Sequence, residues 1–155
     1  MFFYSTNSVE RKSRSGTSYV NYGEANAVER IVELLVGKGV HTDQIGVITP
    51  YEGQRTLLAH VLKEHQGVEV SSVDAFQGRE KEYVIISCVR SNKKGRVGFL
   101  DCDRRLNVAL TRAKFGLFLV GNTQVLAKNH TWNKLLKYYE EKKLIDQVSV
   151  DDLHI

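Results

Sequence analysis

The chain has 155 residues, 42% apolar and 26% charged, which suits one ordinary domain with a real core and excludes a disordered tail or a fibre. Its 22 Lys and Arg against 18 Asp and Glu leave a formal charge of +4, compatible with a polyanionic partner but too small to select one. The longest apolar run, Tyr83 to Val89 with Ser87 inside it, is too short to cross a bilayer, so no membrane role is expected.

Short apolar runs alternate with amphipathic stretches, the signature of βα units and a parallel sheet. Residues 1–4 read as a strand and the Ser/Gly-rich residues 13–18 as a loop. From Glu24 to Val36, Ala25, Val28, Ile31, Val32 and Leu35 recur at helical spacing, and Gly37 and Gly39 supply the stop. A strand follows over 44–49. Pro50, the only proline, suits the first turn of the next helix, whose buried stripe is Leu57, Leu58, Val61 and Leu62. Residues 68–73 and 83–89 are strands; the second is almost continuously apolar, as a central strand covered on both faces must be. After a Gly/Lys/Asn-rich loop at 91–98, Leu106, Ala109, Leu110 and Ala113 mark a helix with Asp103 as its N-cap. The strand 116–120 and a helix striped by Trp132, Leu135, Leu136 and Tyr139, ending near Lys143, follow, and the last residues are expected to fray. The fold class is therefore α/β, a parallel sheet with helices on both faces, and residues 1–155 are expected to form a single domain.

The amino terminus, Met1-Phe2-Phe3-Tyr4, has neither the charged nor the long apolar region of a secretory signal. Cys88 and Cys102 lack Cys-x-x-Cys spacing and a neighbouring His pair, so neither a disulfide framework nor metal ligands are expected. Both features place the chain in a reducing compartment, cytosolic or nuclear, with the cytoplasm as the expectation. Basic runs at Arg11-Lys12-Ser13-Arg14, Lys93-Lys94-Gly95-Arg96, Arg104-Arg105 and Lys142-Lys143 read, one at a time, as solvated surface.

Three segments carry more unusual polar residues: Thr49 to Gln54, Ser72 to Glu80, and Arg104 to Arg112. In open α/β sheets ligands gather at the carboxyl ends of strands, where the first two segments fall. Their hydroxyl, amide, Gly and charged groups are the short donors and close main-chain approaches that phosphate and backbone recognition needs. Arg105 and Arg112, seven residues apart, are expected on one side of a helix two turns apart. Singly, each segment also has a plain reading, as a helix start, a turn or a pair of surface ion-pair formers.

Taken together they carry a resemblance. Val73-Asp74-Ala75-Phe76-Gln77-Gly78-Arg79-Glu80-Lys81 and Arg105-Leu106-Asn107-Val108-Ala109-Leu110-Thr111-Arg112-Ala113-Lys114 look like helicase motifs V and VI of the up-frameshift-like branch of superfamily 1. Ile48 to Gln54 resembles the nucleic-acid-contacting motif upstream of them, and Ser87 to Asn92 with Val97 to Leu100 fits the segment between. Met1 to Tyr4, Ser15 to Asn21 and Trp132-Asn133 favour the nonsense-mediated mRNA decay group of that branch over its senataxin-like and immunoglobulin-mu-binding-like groups. Two departures are the basic loop Ser91 to Arg96, closer to the immunoglobulin-mu-binding-like group, and a connection from Glu64 to Val68 about a dozen residues shorter than in the decay group.

The resemblance implies an ATP-dependent helicase motor of two RecA-like domains, with ATP between them and single-stranded RNA, or DNA, across their top. By the same resemblance this chain is expected to be the second, C-terminal RecA-like domain. Arg112 is the implied catalytic arginine finger on the γ-phosphate. Gly78, Glu80 and Arg105 join it on the nucleotide side, Glu80 near the sugar and Arg105 orienting the second motif. Thr49, Tyr51, Gln54, Ser72, Asp74 and Gln77 are the implied nucleic-acid-side residues, with Tyr51 the one stacking aromatic and Phe76 facing the core. Implied partners are the first RecA-like domain of the same polypeptide and decay-factor proteins.

A P-loop needs Gly-x-x-x-x-Gly-Lys-Ser/Thr, and the one Gly-Lys pair here, Gly37-Lys38, lacks the upstream glycine. No Asp-Glu pair follows an apolar strand either. ATP with Mg²⁺ is therefore expected to be held mainly by the first domain, and the isolated chain to bind no cofactor and to be inactive. Two other classes remain: a non-catalytic single-stranded nucleic-acid-binding module, and a metal-dependent nuclease using Asp74 with Glu140 and Glu141. The second is disfavoured because those carboxylates fall on distant elements.

Overall fold

The computed structural model of the chain describes residues 2–146. Six strands form one sheet: β1 (Phe2–Ser5), β4 (Ile45–Ile48), β5 (Glu69–Ser71), β6 (Lys81–Ser87), β7 (Ala113–Gly121) and β8 (Ile145–Asp146). Their order is β5-β4-β6-β7-β1-β8, and every neighbouring pair is parallel. A two-residue hairpin, β2 (Arg11–Lys12) with β3 (Tyr19–Val20), stands apart. The sheet with helices on both faces is the RecA-like α/β arrangement expected.

Alternation along β6 and β7 divides the interior into two cores. Val84 and Ile86, with Leu117 and Leu119 beside them, meet α3 (Asp103–Leu110) and α5 (His130–Glu141) through Leu106, Ala109, Trp132, Leu136 and Tyr139. Ile85, Phe118 and Val120 meet the opposite layer, α1 (Tyr22–Gly37) and α2 (Glu52–Val61), through Val28, Ile31, Leu35 and Leu58. The Val, Leu, Ile and Phe side chains among them, all but removed from water, each contribute roughly 1.5–3 kcal/mol of transfer free energy. Gly46 in β4 leaves room for a ring: a Cβ there would stand 2.6 Å from Cζ of Phe76.

Several boundaries differ from the sequence expectation. Tyr51 is the N-cap of α2, so Pro50 lies one residue outside the helix and not in its first turn. Of the predicted stripe, Leu58 and Leu62 are buried, Leu57 and Val61 only partly, and the remaining buried position is a polar one, Gln54. Cys102 occupies the N-cap of α3 without a side-chain bond; Asp103 is the first helical residue, and its carboxylate accepts from Thr131 Oγ1 at 2.7 Å. That helix stops at Leu110, and Ala113 begins β7, because its strand pairs with Lys81 and tertiary pairing overrides helix propensity. The short helix α4 (Thr123–Leu126), capped by Asn122, the β2–β3 hairpin and β8 were not legible as periodic runs. The expectation of frayed last residues falls on 147–155, outside the described residues.

Candidate nucleotide and nucleic-acid interface

The polar segments at the sheet edge separate into three groups. The first lies inside. Thr49, at the carboxyl end of β4, is buried and donates from Oγ1 to the Ser87 carbonyl at 3.1 Å. Gln54, one turn into α2, is also buried; its amide donates to the Asn21 carbonyl and to Ser87 Oγ, both at 3.1 Å, and its oxygen accepts from the Asn21 amide at 2.8 Å. Asn21 caps α1 and donates from Nδ2 to the carbonyls of Ser8 and Val89. Glu24 Oε1 accepts from Ser87 Oγ and the Val89 amide, both at 2.9 Å. Its Oε2 is buried without a partner, and burial pushes the carboxyl up to about 8 although the bonds from Val89 and Ser87 pull it down.

Tyr51 belongs with this interior group, contrary to its expected role as an open stacking platform. It is 7% exposed, its hydroxyl accepts from Arg90 Nη1 at 3.0 Å, and the Tyr19 ring covers it edge-on with centroids 5.4 Å apart. The covering ring comes from the second strand of the hairpin, just past residues 13–18, the part expected as a loop.

The second group is open. A cleft of about 430 Å³ is lined by Val73, Asp74, Gln77, Arg104, Arg105 and Val108. Asp74 accepts from Arg105 Nε at 3.3 Å and from Nη2 at 3.5 Å. Ser72 Oγ accepts from the Ala75 amide at 3.2 Å and so closes the turn that presents Asp74 while Phe76 anchors it in the core.

The third group joins Arg112 to the segment before β6. Arg112 follows the end of α3, and its carbonyl accepts from the Lys81 amide at 3.1 Å. Its guanidinium donates to the Val108 carbonyl at 3.1 Å, to Thr111 Oγ1 at 3.0 Å and, at the limit of bonding, to the Arg79 carbonyl at 3.5 Å. Gly78 has φ +73°, and nothing stands within 4 Å of where a Cβ would be; Glu80 is exposed beside it. Arg105 and Arg112 are therefore not two turns of one helix face: the helix ends between them, Arg105 goes to Asp74 and Arg112 to the Arg79–Lys81 strand entry.

Sequence reasoning missed Asn21, Glu24, Arg90 and Glu10. Arg90 donates from Nε to Glu10 Oε1 at 3.1 Å and lies over the Tyr19 ring, 4.3 Å from its centroid. One signal was present: Glu24 falls on the same stripe as Val28, Ile31 and Leu35, so a carboxyl sits where α1 faces the sheet.

The groups gathered beside the Arg79–Lys81 strand entry are the Arg112 guanidinium and, two residues past Gly78, Glu80; the Gly-x-x-x-x-Gly-Lys-Ser/Thr string of a phosphate cradle is absent from the sequence. Among the described residues no group of three or more His, Cys, Asp or Glu is placed to hold a metal ion. The AAA domain family matches residues 1–124. The chain belongs to the AAA domain family. This AAA domain is 48% identical to the regulator of nonsense transcripts 1 homolog of Drosophila melanogaster and 47% identical to regulator of nonsense transcripts 1 of Caenorhabditis elegans. It is also 47% identical to the ATP-dependent helicase NAM7 of Saccharomyces cerevisiae. The three alignments cover 99%, 98% and 100% of the chain but 14%, 15% and 17% of those proteins. The kinship suggested by the strings at 73–81 and 105–114 is borne out, for a segment of proteins several times longer.

Proposed function

We propose that the chain is the second RecA-like domain of an ATP-dependent RNA helicase acting in cytoplasmic nonsense-mediated mRNA decay, alongside decay-factor proteins. In this reading it forms one wall of the nucleotide cleft and part of the strand track. The observation that carries it is the tie between Arg112 and the backbone of Arg79 and Lys81, which brings a guanidinium beside the segment that carries the open turn at Gly78 and Glu80.

Mg²⁺-ATP, held mainly by the first RecA-like domain, supplies the transferable phosphoryl group when bound. Arg112 contributes a planar fork of donors that follows charge developing on phosphoryl oxygens. Its contact to the Arg79 carbonyl, at 3.5 Å, is the weakest of the three and the cheapest to exchange for an anion. Glu80 accepts from sugar hydroxyls, and Gly78 lets the main chain approach closely. Asp74 and Gln77, on the open cleft, face single-stranded RNA or DNA, while Thr49, Tyr51 and Gln54 support that surface from inside.

Titrating nucleotide against this chain, with and without its preceding half, tests the reading. The expected result is negligible binding and no turnover alone, and RNA-stimulated hydrolysis with both halves. Hydrolysis by the isolated chain overturns the one-wall assignment. Strand binding without hydrolysis by both halves together leaves a non-catalytic nucleic-acid-binding module.

A further inference from the structure

At the carboxyl end of β6 the backbone does something costly. Val89, β-branched, has φ +68°, and the Arg90 amide donates back to the Cys88 carbonyl at 2.7 Å, closing a three-residue turn around it. A β-branched residue in the left-handed region is an outlier that persists only where its surroundings fix it. Here they do: Glu24 Oε1 accepts from the Val89 amide at 2.9 Å, and Asn21 Nδ2 donates to the Val89 carbonyl at 3.0 Å. The reversal throws Arg90 out of the strand line and onto Tyr19, Tyr51 and Glu10.

Arg90 then forms the rigid wall of a second cleft, about 500 Å³, whose other lining includes Tyr19, Arg96, Asp101, Lys128 and Asn129. The Arg90 charge is met by Glu10, and the Asp101 carboxylate accepts from Asn129 Nδ2. Arg96 and Lys128 are exposed, so the cations that face outward outnumber the one carboxylate beside them. A cleft with two exposed cations, of which Lys128 donates to the Lys93 carbonyl at 3.4 Å, an aromatic edge and an amide matches the phosphate and base chemistry of a single strand. It also lies at the carboxyl ends of the strands, the side on which Thr49 and Ser72 emerge.

We infer that Glu24 is a positioning residue for a phosphodiester-binding cleft: by holding the Val89 turn it sets Arg90 as the wall against which Arg96 and Lys128 receive a single-stranded backbone. This rests on the proposed helicase reading only for the identity of the strand. Glu24 touches no ligand itself and acts through the turn.

The test uses the full-length protein, a fluorescent single-stranded oligouridine RNA, and RNA-stimulated ATP hydrolysis. Glu24→Ala is expected to raise the RNA Kd about tenfold while kcat at saturating RNA stays within about threefold, the pattern of lost strand binding without lost chemistry. Glu24→Gln keeps an oxygen at the same place and restores affinity to within about twofold. Adding Val89→Gly to Glu24→Ala restores it as well, because glycine takes positive φ without a carboxyl to hold it. A Glu24→Ala protein with normal Kd, or a double variant as weak as the single one, overturns the inference. Should Glu24→Ala fail to fold, the paired surface change Arg96→Ala with Lys128→Ala still decides whether the cleft binds: affinity reduced about tenfold supports it, and unchanged affinity overturns it. Wild-type protein that binds the strand but shows no RNA-stimulated hydrolysis defeats the helicase reading and leaves the cleft upheld by its affinity losses.

Discussion

The carboxyl ends of β4 and β5 carry the same kinds of side chain and put them to opposite uses. After β4, Thr49, Tyr51 and Gln54 turn inward and are consumed by bonds to Ser87, Arg90 and Asn21. After β5, Ser72, Asp74 and Gln77 stay at the surface around an open cleft. Position in the sheet makes the difference. β5 is an edge strand, whereas β4 is flanked by β5 and β6, and the segment after it is covered by Asn21 at the start of α1 and by Tyr19 of the hairpin. A motif string therefore identifies a neighbourhood, and the depth of its strand decides whether the side chains build that neighbourhood or meet a ligand there.

The largest effect expected lies on the exposed side. In the protein carrying both RecA-like halves, Arg112→Ala should lower RNA-stimulated turnover roughly 10³–10⁵-fold, the range for arginine fingers in related phosphoryl transfer. Arg112→Lys should recover little, because an ammonium cannot present a planar fork. RNA binding without nucleotide should survive both changes. Near-normal kcat, with only a slightly lower melting temperature, would mean that Arg112 does no more than tie the end of α3 to β6.

Next in size is the pH dependence of the buried side. The Glu24 carboxyl, ordinarily near 4.5, is pushed up to about 8 by burial, with the Glu10 charge adding slightly. Between those values the folded chain holds a proton that the unfolded chain releases. Stability from this group is thus complete below about pH 4.5 and falls as pH rises through 8, by up to about 1.4 kcal/mol per pH unit. The neighbouring Cys88 thiol is itself pushed well above its ordinary 9.0 by burial and by Glu24, so it titrates outside this window. Denaturant unfolding of wild type and Glu24→Gln from pH 5 to 8 isolates the effect as the difference in slope, and equal slopes would place the Glu24 carboxyl in contact with water.

Smaller again is Gln54→Ala, which strips partners from the buried Asn21 amide and carbonyl and from Ser87 Oγ. A group left unsatisfied costs roughly 1–3 kcal/mol, and here it is the Asn21 amide, since the Asn21 carbonyl keeps the Ala25 amide and Ser87 keeps its bond to Glu24. The expected loss is about 1–3 kcal/mol, read as a shift in urea midpoint with unchanged m-value. A loss under about 0.5 kcal/mol, the size of an ordinary surface change, would put Gln54 on the same footing as Gln77 and dissolve the contrast between the two strand ends.

What the sequence made legible follows the same division. Periodicity located the central strands and the main helices, because an apolar run such as Val84-Ile85-Ile86 has one sensible place in a parallel sheet. It misplaced Ala113 and Pro50, whose states are set by pairing with Lys81 and by the entry into α2, both outside a local window. The two motif strings named the right segments but not the partners within them. Arg105 meets Asp74 across 31 positions of sequence, and Arg112 meets Arg79 across 33. Glu24 was missed for another reason: a carboxyl on an apolar stripe reads as the start of a helix until its hydrogen bonds to Ser87 and Val89 are seen.

The smallest effect belongs to the ion pair that spans the open cleft. Arg105 and Asp74 meet at 3.3 and 3.5 Å, with side chains 40% and 68% exposed. Water screens both charges at that exposure, and holding two flexible side chains in one geometry costs entropy, so such pairs contribute about 1 kcal/mol or less. Asp74→Ala should therefore change stability by under about 1 kcal/mol, and a double-mutant cycle with Arg105→Ala should give a coupling of a few tenths that fades as salt rises. This weak coupling is what an open rim needs, since a ligand phosphate can replace the carboxylate on Arg105 at small cost. A coupling above about 2 kcal/mol, insensitive to salt, would show the cleft to be as firmly built as the Asn21–Gln54 interior, and the rim would then resist a ligand instead of receiving one.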